Sequence, residues 1–343
     1  MTGRGRLAGL APPILPSLVR APDGMRGDPG DYVPFDKAEA AAERAARLRR
    51  ALSAWVGRRG EGIVSGLPLA WLGLFFLLPF LVVLRVSLSE AAIARPPYTD
   101  LFEWADGMLT ATINFGNYLF LAEDGLYLEA YLNSILTAGS ATLVCLFIGY
   151  PMALYIARAR PEKRPLLLML VVLPFWTSFL LRMYALIGLM APTGFINTAL
   201  ALVGLGPIEM MQTGFAVQAG IVTGYLPLMI LPLFATLEKL DPALLEASHD
   251  LGASPFRAFI SVTLPLSAPG IIAGSLLVFI PAVGEFVIPA LLGGPDQLMI
   301  GKVLWTEFFN NRDWPVASAV AIAMLALLVA PIMLMRNALG QKK

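Results

Sequence analysis

Long apolar runs alternate with short polar segments over most of the chain. Six runs are long enough to cross about 30 Å of hydrocarbon as helices, and they cover residues 67–88, 132–157, 166–189, 215–237, 269–288 and 316–335. The first run is longer than the apolar core of a secretory signal, and no small-residue cleavage site follows it. The pattern predicts an all-α integral membrane protein with six transmembrane helices.

The segment before the first run has a different character. Residues 1–35 are rich in Gly, Pro and Arg without apolar periodicity, which is typical of a disordered tail. A short amphipathic helix is predicted over 36–55, where Ala dominates and charged side chains recur one turn apart, as at Glu39, Glu43 and Arg47. Its basic face suits an anionic membrane surface. We therefore expect a tail over 1–62 and a transmembrane domain over 63–338.

Composition supports a membrane protein, and the loop charges predict its orientation. Hydrophobic residues make up 57% of the chain and charged residues 14%, against about a quarter charged in soluble chains. The 89–131 loop has Arg95 as its one basic residue against seven acidic ones. Basic residues cluster before the first span, in the 158–164 turn and at the C-terminus, as Arg44, Arg47, Arg49, Arg50, Arg58, Arg59, Arg158, Arg160, Lys163, Arg164, Arg336, Lys342 and Lys343. The positive-inside rule then predicts that both termini are cytoplasmic.

Several classes of chemistry are disfavoured by the sequence. Cys145 is the one cysteine and His249 the one histidine, which argues against a disulfide framework, a multi-His metal site and a hydrolase triad. Residues 293–303 superficially resemble a phosphate-binding loop, but the spacing is wrong and no Ser or Thr follows Lys302. We expect no catalytic residue, no metal site, no bound cofactor and no nucleic-acid partner for this chain.

Prolines interrupt several of the predicted spans. They lie at Pro151, Pro174, Pro227, Pro232 and Pro281. Each removes a backbone hydrogen bond and frees a carbonyl, which is tolerated at membrane depth against protein or along a watered path. A translocation bundle explains this pattern, and so does the general frequency of Pro in membrane helices. Both interpretations stay open.

The loop between the fourth and fifth spans carries the most informative pattern. Asp241 is a good N-cap with Pro242 in the first helical position, and Gly252 falls where a left-handed C-terminal cap is expected. Ser254 repeats the cap and Pro265 ends a second short helix. Both helices have apolar faces, formed by Leu244, Ala247 and Leu251 and by Phe256, Phe259 and Ile260. These faces fit docking on a soluble partner, and equally fit packing on the chain's own helices or at the lipid interface.

The spacing within this loop resembles the EAA loop of ABC importer permeases. The resemblance rests on Glu246, Ala247 and Ser248, on Gly252 six positions after the Glu, on Val262 ten positions later, and on Leu264 and Pro265. Ser248 replaces the usual second Ala and Val262 the usual Ile. The resemblance implies that 240–265 is the coupling loop that docks on the ATPase subunit. The residues that it assigns to coupling are Glu246, Ala247, Ser248, Leu251, Gly252, Phe256 and Pro265.

A wider resemblance covers 63–338. Segments at 131–135, 173–185, 279–296 and 304–319 are similar to the putrescine and spermidine importer permeases, and most similar to the putrescine-type subunit. This implies a type I ABC importer permease (MetI-like) fold in a bacterial inner membrane. It also implies four kinds of partner: a second homologous permease, an ABC ATPase dimer that binds ATP and Mg, a periplasmic polyamine-binding protein, and a polyamine substrate.

A polyamine path should offer a carboxylate and aromatic faces to the ammonium groups. Glu285 lies within the fifth span, where an ionisable residue is a functional candidate. Its alternative role is a buried pair with Arg182 of the third span. The remaining candidates for the path or gate are Trp176, Tyr184, Tyr225 and Phe286, which equally fit packing on neighbouring helices or an interfacial belt.

The last outer loop, 293–315, mixes charged and aromatic residues. It fits docking of a binding protein and equally fits packing against the 89–131 loop. Three alternatives remain for the whole chain: an importer of another small organic cation or amine, an ion-coupled secondary transporter, and a membrane-bound enzyme. The transporter favours inverted repeats and several coupling carboxylates, and the enzyme needs clustered catalytic groups; the sequence shows neither.

Overall fold

The computed structural model of the chain describes residues 44, 46, 47, 62, 64–105 and 108–340. Most of the predicted tail, including most of the helix predicted over 36–55, lies outside the described residues. The chain divides into two compact units, residues 1–74 and 75–343. In the first unit, 64–74 are helical and their large apolar side chains are exposed, as is typical of a lipid-facing segment.

The described part of the chain is a succession of helices with one pair of strands. They are α1 (Val64–Ser87), β1 (Phe102–Ala105), β2 (Met108–Ala111), α2 (Gly116–Glu123), α3 (Gly125–Arg158), α4 (Arg164–Val172), α5 (Phe179–Met190), α6 (Phe195–Leu202), α7 (Gly214–Leu237), α8 (Pro242–Asp250), α9 (Pro255–Leu266), α10 (Ala268–Val283), α11 (Val287–Leu292), α12 (Ile300–Trp305) and α13 (Trp314–Gly340). A 3₁₀ turn over Leu173–Trp176 follows α4, and a π-helical segment over Thr306–Asn311 follows α12.

The helical fold class is confirmed, and the count of six spans is not. The described part is helical apart from one antiparallel hairpin, in which Phe102 pairs with Ala111. Four of its helices are long and apolar enough to cross a membrane: α1, α3, α7 and the segment Phe179–Leu202. A fifth is obtained if α9 and α10, bent by 64° at their junction, are counted as one span.

Two of the predicted spans are broken, and among the described residues the predicted span 316–335 corresponds to a shorter apolar segment of α13, Trp314–Val329. The predicted span 166–189 is divided between α4 and α5, because the chain becomes extended at Thr177 and Ser178. The predicted span 269–288 is likewise interrupted between α10 and α11. Pro174 and Pro281 lie at or near these breaks, whereas Pro151, Pro227 and Pro232 lie inside helices that continue through them.

The core is built around α3, α7 and α10. Their buried side chains form two apolar clusters, which also include residues of α4, α5 and α11 to α13. Small residues let these backbones approach closely. At Gly274 of α10, for example, an added Cβ would lie 3.0 Å from the carbonyl oxygen of Met229 in α7. This close packing holds α10 against α7 just before the break that follows α10.

Candidate functional site

The break between α10 and α11 holds the carboxylate of Glu285. Its side chain is 8% exposed. Oε1 accepts hydrogen bonds from the backbone N–H of Val287 at 3.0 Å and of Ile288 at 3.3 Å. Oε2 accepts a hydrogen bond from the hydroxyl of Tyr225 in α7. One carboxylate thus caps the start of α11 and ties it to α7, so two of the predicted path residues are in direct contact.

An aromatic column stands beside this carboxylate. The ring of Phe286 stacks on Trp305 with centroids 4.4 Å apart, and Trp305 lies 4.1 Å from Phe309. Stacked rings of this kind present faces to which organic cations are attracted. Phe286 was a predicted path residue. Trp305 and Phe309 lie within the segment 293–315, and the column that they form with Phe286 was not predicted.

Arg182 does not pair with Glu285, so the alternative of a buried ion pair is wrong for this structure. Its guanidinium lies over the rings of Phe175 and Phe179, 5.6 Å from each centroid. Nε and Nη1 are buried and have no hydrogen-bond partner among the described residues. Glu285 instead has backbone and tyrosine donors of its own. The helices that carry their partners are nevertheless neighbours. A Cβ added at Gly224, next to Tyr225, would lie 3.6 Å from the ring of Phe179.

The other two aromatic candidates are not gathered around Glu285. Trp176 is 82% exposed and Tyr184 is also largely exposed. Among the described residues neither ring packs on another aromatic ring. Trp176 lies in the turn before α5 and Tyr184 lies on α5, and both side chains are accessible to lipid or to another subunit.

The loop over 240–265 forms two short helices joined by a tight turn. The cap predicted at Asp241 is confirmed, since its Oδ1 accepts from the N–H of Ala243 at 3.0 Å. Gly252 has a φ of +82°, the left-handed conformation that favours glycine. The N–H of Ala253 donates to the carbonyl of Ser248 at 3.0 Å and completes the C-terminal cap. The second helix continues one residue past Pro265, to Leu266, rather than ending there.

The apex of this loop is apolar and unpartnered among the described residues. Leu251 is 89% exposed and Phe256 is 72% exposed. Glu246 and Ala247 are exposed on the same helix, whereas Ser248 is half-buried and donates from Oγ to the carbonyl of Leu245 at 2.7 Å. The helix caps hold the turn in one conformation. The loop therefore presents two large apolar side chains on a rigid support.

The segment 293–315 packs against the loop that follows α1. Trp314 contacts the ring of Tyr98 at 6.2 Å and stacks on Phe308 at 5.0 Å. This confirms packing between the two loops, which was one of the two alternatives. Two adjoining clefts of about 560 and 630 Å³ remain between residues 91–97 and 308–314, and Arg95 and Arg312 line both. The packed loops thus leave a concave surface lined by aromatic rings, two guanidinium groups and the carboxylate of Asp313.

Residues 125–343 match the family described as "Binding-protein-dependent transport system inner membrane component". The chain belongs to this family. The matched residues of this inner membrane component include α3 to α13, and with them both the loop over 240–265 and the break at Glu285.

Two bacterial permeases are among the similar proteins. The chain is 42% identical over 277 residues to the spermidine/putrescine transport system permease protein PotB of Haemophilus influenzae, covering 80% of this chain and 92% of that one. It is 41% identical over 259 residues to PotB of Escherichia coli (strain K12), covering 74% of this chain and 88% of that one.

A solved structure supports the fold of this inner membrane component. The chain matches a chain of a bacterial alginate ABC transporter in complex with an alginate pentasaccharide-bound periplasmic protein, with a TM-score of 0.63 and 16% identity. The match covers 82% of this chain and 95% of that chain. At this identity the likeness supports the ABC permease fold alone.

Proposed function

We propose that this chain is the membrane-spanning permease subunit of an ATP-driven polyamine importer, with putrescine as its main substrate. The observation that carries the proposal is the 42% identity to a spermidine/putrescine permease over nearly the whole of that relative. The chain supplies half of the translocation path, and a second homologous permease supplies the other half. Both termini lie in the cytoplasm, in keeping with the arginine-rich segments before α1 and between α3 and α4.

The path runs past the break at Glu285. A polyamine ammonium group needs an acceptor and gains from an aromatic face. A carboxylate has about four lone-pair sites, and three of those on Glu285 are used by Val287, Ile288 and Tyr225. The remaining site and the net negative charge are free to meet a cation, with Phe286 adjacent. Because a broken helix exposes backbone groups at membrane depth, the break itself adds polar contacts.

Coupling to ATP runs through the loop over 240–265. An ABC ATPase dimer binds ATP and Mg, and Leu251 and Phe256 insert into a groove on its surface, supported by the helix that carries Glu246, Ala247 and Ser248. Each large apolar side chain that becomes buried contributes about 1.5 to 3 kcal/mol. Closure of the ATPases moves the loop as a rigid body, which shifts the population between inward-facing and outward-facing states.

A periplasmic polyamine-binding protein delivers the substrate to the opposite side. The surface between 91–97 and 308–314 suits it, because the clefts are concave and lined by Arg95 and Arg312. Acidic side chains on the binding protein complement these guanidinium groups and steer the encounter.

A competition series tests the substrate. Uptake of labelled putrescine into vesicles that contain the assembled transporter is measured against an excess of unlabelled putrescine, spermidine, or a neutral diol of the same length. We expect both amines to suppress uptake and the diol to leave it unchanged, because the path and the binding protein select ammonium groups. Suppression by another amine alone would assign that amine as the substrate instead of putrescine. Equal suppression by the diol would contradict the polyamine assignment.

A further inference from the structure

A third cleft lies on the side of the bundle where α3 ends and α8 begins. Its volume is about 350 Å³. Arg158 at the end of α3, Arg164 at the start of α4, and Glu238 after α7 line it, together with Pro242 and Leu245 of α8 and Thr263 of α9. It therefore lies directly behind the helix that carries Glu246. We call it the interfacial cleft.

The charged lining of the interfacial cleft has a positive excess. Nη1 of Arg164 donates to Oε1 of Glu238 at 3.0 Å, and its Nε donates to the carbonyl of Ala159 at 2.9 Å. Arg164 and Glu238 thus neutralise each other. Arg158 is exposed and forms no ion pair with any described residue. One guanidinium is left with its donors available, and its planar fork matches the geometry of a phosphate group.

The buried hydroxyl of Thr263 is an independent indication that the interfacial cleft binds a ligand. Thr263 is 1% exposed, and its Oγ1 has no hydrogen-bond partner among the described residues. Buried polar atoms are almost always satisfied, so an orphaned hydroxyl in the lining of a cleft points to a partner that occupies the cleft. An anionic oxygen would accept from this hydroxyl and from Arg158 together.

The rest of the lining is apolar, with Leu154, Leu240 and Leu245 among its residues. We propose that the interfacial cleft binds a phosphate group, held by Arg158 and the hydroxyl of Thr263. The placement of this cleft at the cytoplasmic face, where anionic lipid headgroups are abundant, rests on the orientation in the proposed function. Basic pockets between helices on that face bind such headgroups, and the apolar wall suits the glycerol and upper acyl chain of a phospholipid.

Two variants and a matched control test the site on the purified full-length chain. Arg158→Gln removes the available guanidinium, and Thr263→Val replaces the orphaned hydroxyl by a methyl group of similar size. Arg160→Gln removes an exposed arginine from the same turn, outside the cleft. Arg164 is left unchanged because it pairs with Glu238.

Binding is measured with two probes that separate the sources of phosphate. Phosphatidylglycerol retained by the chain is counted by native mass spectrometry after extraction from nanodiscs of phosphatidylglycerol and phosphatidylcholine. Inorganic phosphate is tested by the shift it produces in the thermal unfolding of the detergent-solubilised chain. We expect about tenfold weaker binding for Arg158→Gln, several-fold weaker binding for Thr263→Val, and native binding for Arg160→Gln.

The outcomes are distinct from those of the transport assays. Selective loss of phosphatidylglycerol in the two cleft variants supports a lipid headgroup as the source. A response to inorganic phosphate alone, lost in the same variants, supports a free phosphate. Thr263→Val should unfold at the same temperature as the native chain or higher in the absence of ligand, because it removes an unpartnered buried hydroxyl. Binding of neither probe, or equal binding by Arg158→Gln and Arg160→Gln, would overturn the proposal whatever the substrate proves to be.

Discussion

Replacing Leu251 and Phe256 together by Asp is expected to abolish ATP-driven uptake while the permease stays folded. Both side chains are mostly exposed in the isolated chain, at 89% and 72%. A polar replacement therefore costs little in the permease itself. In the assembled transporter, the same change places two carboxylates where two apolar side chains are meant to be buried. Removing the contacts of a central interface residue weakens binding between the two proteins by more than about tenfold.

The effect is measured by co-purification of the ATPase with the permease and by uptake in vesicles. The matched control is the pair Leu251→Met and Phe256→Leu, which keeps apolar side chains of similar size at the same positions and should retain both readouts. Normal ATPase capture and uptake by the Asp variant would show that the apex of the loop does not dock. Loss of the permease from the membrane would show instead that these residues stabilise the chain.

Glu285→Gln is expected to lower uptake by about tenfold or more without unfolding the protein. The Gln carbonyl can still accept from the N–H groups of Val287 and Ile288, and its amide can donate to the Tyr225 hydroxyl. The helix cap is therefore retained and the negative charge is lost. A hydrogen bond to a charged group contributes about 1.5 to 3 kcal/mol, and about 1.4 kcal/mol corresponds to a factor of ten.

Comparison with two other variants separates charge from capping. Glu285→Ala removes the cap and leaves the Tyr225 hydroxyl unpaired, so we expect it to lower the free energy of unfolding by about 1 to 3 kcal/mol. Glu307→Gln makes the same chemical change at another tyrosine partner, since Glu307 accepts from Tyr127 at 2.9 Å, and should transport normally. Normal uptake by Glu285→Gln would assign Glu285 a purely structural role.

The helical character and the caps could be predicted from local sequence. An apolar run that is long enough to span a membrane indicates a helix in lipid without any knowledge of the rest of the fold. Asp241 caps α8 and Gly252 adopts a positive φ because each depends on backbone chemistry within a few residues. The order of two short helices around a tight turn follows from the same local rules.

The breaks and the pairing at Glu285 could not be predicted in this way. A hydropathy window averages across Thr177 and Ser178, so two extended residues between apolar helices leave its value almost unchanged. A buried pair with Arg182 was one of the two roles that the sequence left open for Glu285. Once the helix is interrupted, the backbone N–H groups of α11 are free to donate to the carboxylate, and a partner from another helix is no longer required.

Uptake into vesicles whose energy supply is controlled distinguishes an ATP-driven importer from an ion-coupled transporter. The chain is reconstituted with its partner permease, the ATPase dimer and the periplasmic binding protein, and putrescine uptake is followed with ATP on the ATPase side or with an ion gradient alone. We predict uptake that requires ATP and the binding protein, and no uptake with the gradient alone. Uptake that continues unchanged with ATP depleted and a gradient present would contradict it.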